Sequence, residues 1–275
     1  MRKVLQSLSL FGKLSILLAL LSVVLAQAQP VTLRSDQLDR LVARIALYPD
    51  PLLAQLLTAS TYPDEIGPAA EWADQHSYLH GDELARAISE DQLPWDPSIL
   101  GLLPFPSVLD MMRSDMAWTY QLGDAVLSQR PEVMDAIQRM RKKAKDFGYL
   151  QSNRYVKVVP SGAYIEILPV DPAYLYVPVY DPLVVFARPV GPVVVTTAIT
   201  FGPPIFVGPF FLHFGWAPPA LVWTSHSIVI DGRPWVRGWV GREAYVHPYR
   251  TPWVRPVGPR VEHHELRPVI HPHHR

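Results

Sequence analysis

The sequence predicts an α+β protein: an all-helical N-terminal domain, then a small antiparallel sheet and a proline-rich C-terminal region. Three observations predict it. Between Ser35 and Gly148 apolar residues recur at spacings of three and four, the period of a helix with one buried face. After Ser152 the period falls to two, as in strands. From Leu183 to Ile230 the chain carries one charged side chain besides histidine, Arg188, and seven prolines, a texture that suits neither element.

The chain opens Met1-Arg2-Lys3, adds Lys13, and has no acid before Asp36. Leu14 to Leu25 is an apolar run, followed by Ala26-Gln27-Ala28. A charged start, a short apolar core and a small-x-small exit are the parts of a secretory signal peptide. The run is shorter than the roughly 20 apolar residues a spanning helix needs. Residues 1–28 are therefore expected to be a removed leader, and the mature chain to have no transmembrane helix. With no cysteine, disulfides, thiolate metal sites and a lipidated N-terminal cysteine are excluded.

The helical domain spans residues 29–150. Ser35 and Asp36 are N-cap types, and Leu38, Leu41, Val42 and Ile45 form one stripe. The chain breaks at Tyr48-Pro49 and restarts at Asp50-Pro51, with Asp50 as cap and Pro51 in the first turn. Further helices are expected at Asp64–His76, Asp82–Ser89, Asp96–Leu103, Ser107–Ser114, Asp115–Gln129 and Pro131–Phe147. Gly148 closes the last one after a basic turn of Arg141, Lys142, Lys143 and Lys145, as the helix dipole favours. Asp50-Pro51-x-Leu53-x-x-Leu56-Leu57 is echoed by Asp96-Pro97-x-Ile99-x-x-Leu102-Leu103, and each is followed by a helix begun by proline. The echo fits a duplicated helical hairpin, and equally the general habit of Asp-Pro to start helices.

Residues 151–182 form the sheet region. Tyr155–Val159 and Ala163–Leu168 flank Pro160-Ser161-Gly162 and read as a hairpin. Tyr174–Val177 is a third strand, confined to an edge by Pro178 and Pro182. Residues 183–246 are apolar and rich in Pro and Gly. They either cross the domain as an irregular belt or dock on a partner, and they end in a hairpin: Ser227–Ile230, the Asp231-Gly232 turn, then Arg233 to Val240. Residues 247–275 are rich in Arg, His and Pro and are expected to form a disordered tail.

The strings ALYPDPLLAQLLTASTYPDEI (Ala46–Ile66), LPWDPSILGLLPFPSVLDMM (Leu93–Met112) and YLYVPVYDP (Tyr174–Pro182) resemble an uncharacterised family of exported bacterial proteins, a domain of unknown function. The resemblance covers roughly residues 38–182. It implies export and a shared helical domain, and it brings no catalytic residues. Members of that family continue into a Gly/Trp-rich region, where this chain is rich in Pro, Val and Phe.

For chemistry the chain offers little. It has no G-x-S-x-G, no H-E-x-x-H and no phosphate loop, so no cofactor is called for. Asp50, Asp96, Asp171 and Asp181 each precede proline, where an aspartate caps a helix or forms a turn. Paired acids near Asp50 and Asp96 would be needed for a hydrolase acting on an envelope polymer. His76 and His80 are four apart but Ser77-Tyr78 and Gly81 break the helix, so they read as a loop pair. In the tail, His263, His264, His271, His273 and His274 are candidate metal ligands of low specificity. Arg250, Arg255, Arg260 and Arg267 are candidate contacts to an anionic surface.

Charge is segregated. Residues 29–150 hold 18 acidic against 11 basic side chains, and residues 151–275 hold 7 against 11. After export, an anionic envelope surface is a better-placed counterpart than nucleic acid. These features favour a non-enzymatic binding or structural protein of the periplasm or envelope of a Gram-negative bacterium, meeting an envelope protein or an anionic envelope surface. The alternatives are the hydrolase and metal binding by the tail.

Overall fold

The computed structural model describes residues 32–189 and 198–239; the expected leader and tail lie outside that range. The order is eight helices, a hairpin, then short strands and helices: α1 (Ser35–Val42), α2 (Asp50–Ala59), α3 (Pro63–Gln75), α4 (Gly81–Asp91), α5 (Pro97–Leu100), α6 (Pro106–Ser114), α7 (Met116–Ser128), α8 (Arg130–Asp146), β1 (Val156–Ser161), β2 (Tyr164–Pro169), β3 (Tyr174–Leu175), β4 (Pro178–Tyr180), α9 (Pro182–Val185), β5 (Ile199–Phe201), β6 (Ile205–Phe206), α10 (Gly208–His213), β7 (Ala220–Val222), β8 (Ser227–Ile230) and β9 (Arg233–Pro234). This is α+β, as the change of period predicts.

The prolines set the helix starts. Pro51, Pro63, Pro97, Pro106, Pro131 and Pro182 each lie in a first turn, where the missing N–H costs no bond. Caps divide into two kinds. Asp96, Asp115 and Asp181 accept from Ser98, Trp118 and Leu183 N–H at 2.8, 3.0 and 2.8 Å. Ser35 and Asp36 lie inside α1 instead; Arg34 precedes it, and its N–H donates to Gln37 Oε1 at 2.9 Å. The helix expected at Asp96–Leu103 stops at Leu100. Pro104 and Pro106 follow, and the chain tightens into i→i+3 turns at Leu102 and Leu103.

Helix α2 is the centre. Every residue from Leu52 to Ala59 is buried, and α5, α7, β2, β7 and β8 all pack on it. Two close approaches fix that packing. A Cβ on Gly123 of α7 would lie 2.1 Å from the Ser60 carbonyl oxygen, so only glycine lets these helices meet. Gln55 of α2 donates to the Pro97 and Ser98 carbonyls at 3.1 and 2.8 Å and occupies the space beside Gly101. The echoed segments also meet each other, α2 on α5 and α3 on α6.

The β1–β2 hairpin pairs antiparallel from Val156↔Pro169 to Ser161↔Tyr164. Both of its outer edges are occupied by side chains. On β2, Gln138 accepts from Ile165 N–H at 2.8 Å and donates to its carbonyl at 3.1 Å, as a neighbouring strand would. On β1, the Ser152 hydroxyl accepts from Val158 N–H at 2.9 Å, and Pro160 has no N–H to offer.

The apolar segment crosses the domain as a belt in its described part. Phe210, Phe211, Phe214 and Trp216 are buried, and α10 packs on α4. The third strand ends earlier than expected: Tyr174–Leu175 pairs with Ile205–Phe206, while Pro178–Tyr180 pairs with Ile199–Phe201. These partners lie within the proline-rich stretch, past Pro189 and Pro192, and leave no local signal. The last hairpin turns on Asp231 and Gly232, both at positive φ (52° and 68°), as a type I′ turn requires. Its second strand stops at Pro234, short of Val240, because proline breaks the ladder.

Candidate functional site

Asp50 was expected to cap α2 and does not. It is the helix's first residue, after Pro49, and its carboxylate turns inward. Oδ1 lies 2.6 Å from Arg141 Nη1 and accepts from Ile167 N–H at 3.3 Å; Oδ2 accepts from Trp223 Nε1 at 2.8 Å. Arg141, one of the four residues of the basic turn near the end of α8, is fully buried. Its Nε donates to the Ala46 carbonyl at 2.8 Å, Nη1 also to Ile165 at 2.8 Å, and Nη2 to Tyr48 at 2.9 Å. The guanidinium carbon lies 4.9 Å from the Trp223 ring centroid. A buried ion pair persists only when its remaining donors and acceptors are satisfied, and here they are. The signal was present: Arg141 is four residues after Ile137 and three before Ala144, on the buried stripe of α8.

Asp96 sits elsewhere. Its Oδ1 accepts from Ser98 N–H and Oγ, and its own N–H donates to Glu65 Oε2 at 2.9 Å. Burial pushes the Glu65 carboxyl up to about 8, with Asp96 and Asp64 adding repulsion against the bonding to Asp96 N–H. Burial raises Asp96 as well, against its bonds to Ser98. Glu65 escaped the sequence reading because it follows Asp64 in what looks like an ordinary acidic first turn. Asp50 and Asp96 share no partner among the described residues, so the two acids do not form the couple that hydrolysis would need.

The other candidates separate cleanly. Asp171 accepts from Ala173 N–H at 2.9 Å in a turn, and Asp181 is a cap. His76 ends α3, stacked at 3.9 Å on Trp72, while His80 precedes α4. Among the described residues no three His, Cys, Asp or Glu side chains gather into a metal site. His263, His264, His271, His273 and His274, with Arg250, Arg255, Arg260 and Arg267, lie outside the described residues.

One concave site was not foreseen. A cleft of about 530 Å³ opens where the chain leaves α8 and enters β1, with β5 as its far wall. Leu47, Leu150, Val156, Ile167, Ile199 and Phe201 make it apolar inside. Arg154 stands at its mouth, 4.7 Å from the Tyr155 ring centroid. Tyr155 in turn packs on Tyr176 and Phe201 at 4.7 and 4.8 Å. A second groove of the same size, between α8 and the hairpin, is more open, with Lys142, Lys145 and Asp146 along it. Among the described residues no helix is long and apolar enough to cross a membrane.

Comparison with known proteins adds a family and no activity. The model of the family described as protein of unknown function, DUF3300, matches residues 34–226. The chain is 33% identical over 205 residues to the uncharacterized protein YacH of Escherichia coli, an alignment covering 63% of this chain and 32% of that protein. The chain thus spans about a third of the length of that relative. No solved structure matches.

Proposed function

We propose that this chain, which belongs to the DUF3300 family of proteins of unknown function, is an exported, non-enzymatic binding protein of the Gram-negative cell envelope. The observation that carries the non-enzymatic half is the fate of Asp50. Of the two acids the hydrolase alternative needs, Asp50 is held by Arg141, Trp223 and Ile167 N–H, and Asp96 caps a helix. Export is supported by the charged start, short apolar core and Ala26-Gln27-Ala28 of the leader. Attachment to an anionic envelope surface is supported by charge. After Tyr249 the chain has five arginines against Glu262 and Glu265. Each basic residue near such a surface contributes about 1 kcal/mol, screened by salt.

The test uses the full mature chain and its R250Q/R255Q/R260Q/R267Q variant, co-sedimented with vesicles containing phosphatidylglycerol or only phosphatidylcholine. The parent is expected to sediment with the anionic vesicles, less at high salt, and more below pH 6.5 as the tail histidines charge. The variant is expected to stay in solution. Sedimentation that ignores both salt and the four substitutions would refute attachment through the tail.

A further inference from the structure

We infer that the cleft between the α8–β1 connection and β5 binds a small anionic amphiphile, an aliphatic body ending in a carboxylate. Three observations converge on that chemistry. The interior is apolar: the six residues from Leu47 to Phe201 named above supply only hydrocarbon and an aromatic face. The mouth is cationic. Arg154 is exposed and stacked on Tyr155, with no carboxylate partner among the described residues, and none of the lining side chains is acidic. Of the other rim groups, Gln151 donates to the Gly148 carbonyl at 3.1 Å, the Ser152 hydroxyl is engaged with Val158, and Asn153 offers a donor. The Asn153 carbonyl oxygen is already used by Tyr155 and Val156 N–H at 2.8 and 3.0 Å, which turns its NH₂ outward as a donor. Tyr149 lines the same cleft.

The arrangement selects by charge at one end and by shape at the other. Stacking on Tyr155 holds the guanidinium plane, so less side-chain freedom is lost when an anion binds. A planar guanidinium fits a carboxylate in two parallel hydrogen bonds. The volume lies within the roughly 300–1,000 Å³ of small-molecule sites. A cation of the same length would meet Arg154 as a like charge, and a purely polar ligand would leave the apolar walls unused. The rim is well anchored: Ser152 and Asn153 are held to β1 by their own side chains, so the site is formed before ligand arrives.

The probes are decanoate and decylammonium, titrated calorimetrically into the full mature chain below their aggregation thresholds. Decanoate is expected to bind one to one, and decylammonium at least tenfold more weakly. Arg154→Gln removes a charged hydrogen bond and is expected to weaken decanoate about tenfold or more, with melting temperature unchanged because the side chain is exposed. Ile199→Trp, which fills the cleft, is expected to abolish binding. The four-arginine tail variant should bind decanoate like the parent, which keeps this site distinct from surface attachment. Absent decanoate binding, equal affinity for the two probes, or an unchanged affinity in Arg154→Gln would overturn the inference.

Discussion

Asp50 and Arg141 leave water together, and the cost of separating them governs how each responds to substitution. A helix cap lost to alanine costs about 1 kcal/mol, and asparagine replaces it well. A buried cation stripped of its counter-charge costs about 3–5 kcal/mol. Asp50→Ala and Asp50→Asn are therefore expected to lose stability by the larger amount, with Asn recovering little, because Arg141 is fully buried in both. Asp96→Asn should fall by less than 1 kcal/mol, since Asn still accepts from Ser98 N–H. Urea melts of the three variants decide it; an Asp50→Asn as mild as Asp96→Asn would restore the cap reading. The sequence suggested a cap at both positions because Asp-Pro looks the same whether the carboxylate turns to its own helix or away. Only the partner 91 positions on distinguishes them. Glu65 contributes to the pH dependence, in the same direction as Asp96. The Glu65 carboxyl is raised on folding from 4.5 to about 8, so between those values the folded chain holds a proton that the unfolded chain has released. Its contribution is present below about pH 4.5 and is lost as pH climbs through 8. Glu65→Gln keeps an acceptor for Asp96 N–H and removes the titration. It is expected to flatten the decline in melting temperature from pH 5 to 8 and to raise the melting temperature at pH 8. A decline identical to that of the parent would assign the titration elsewhere.

At the scale of elements, spacing and glycine carry the fold. The eight N-terminal helices were legible because proline and aspartate mark their starts and the apolar stripe marks their faces. So was the β1–β2 hairpin, although Pro160 and Ser161 extend β1 and the chain turns at Gly162-Ala163 instead. The pairings β3–β6 and β4–β5 were not, since two- or three-residue strands leave no period to read and their partners lie among the prolines. Helix–helix approach was not legible either: Gly67, Gly101 and Gly123 look alike in sequence and differ in what faces them. A Cβ at Gly67 meets nothing within 4 Å, whereas one at Gly123 meets a backbone oxygen at 2.1 Å. Gly67→Ala is expected to stabilise α3 by about 0.5–1 kcal/mol, the helix propensity gain. Gly123→Ala must push α7 off α2 and is expected to cost about 1–3 kcal/mol or more. Gly101→Ala should fall between them. Its obstacle is the Gln55 side chain, which can move but then gives up the Pro97 and Ser98 carbonyls. Thermal melts of the three alanine variants give the ranking, and a destabilised Gly67→Ala with a neutral Gly123→Ala would contradict this packing.

For the whole molecule the question is whether residues 198–239 are an attachment or part of the core. Their links to the helical body are spread along it. The Trp223 indole reaches Asp50 on α2, His226 reaches Asp135 on α8 at 2.9 Å, and Trp239 N–H reaches the Leu127 carbonyl at the end of α7 at 3.0 Å. Arg130 stacks on Trp235 at 4.5 Å and donates to the Trp235 and Arg237 carbonyls. Phe210 and Ile228 have no exposed surface, and β7 and β8 rest on α2, itself the centre of the helical domain. Opening this segment would therefore uncover α2 and leave the Asp50–Arg141 pair partly solvated, so it is expected to unfold with the body as one cooperative unit. Trp223→Phe tests this without emptying much volume. It leaves Asp50 Oδ2 without its indole donor, at a cost of about 1–3 kcal/mol. If the core is shared, native-state hydrogen exchange should speed up by the same factor at Ile228 in β8 and at Leu53 and Leu56 in α2, with a single unfolding transition at a lower midpoint. Faster exchange at Ile228 with α2 unchanged would show instead that the C-terminal strands open on their own.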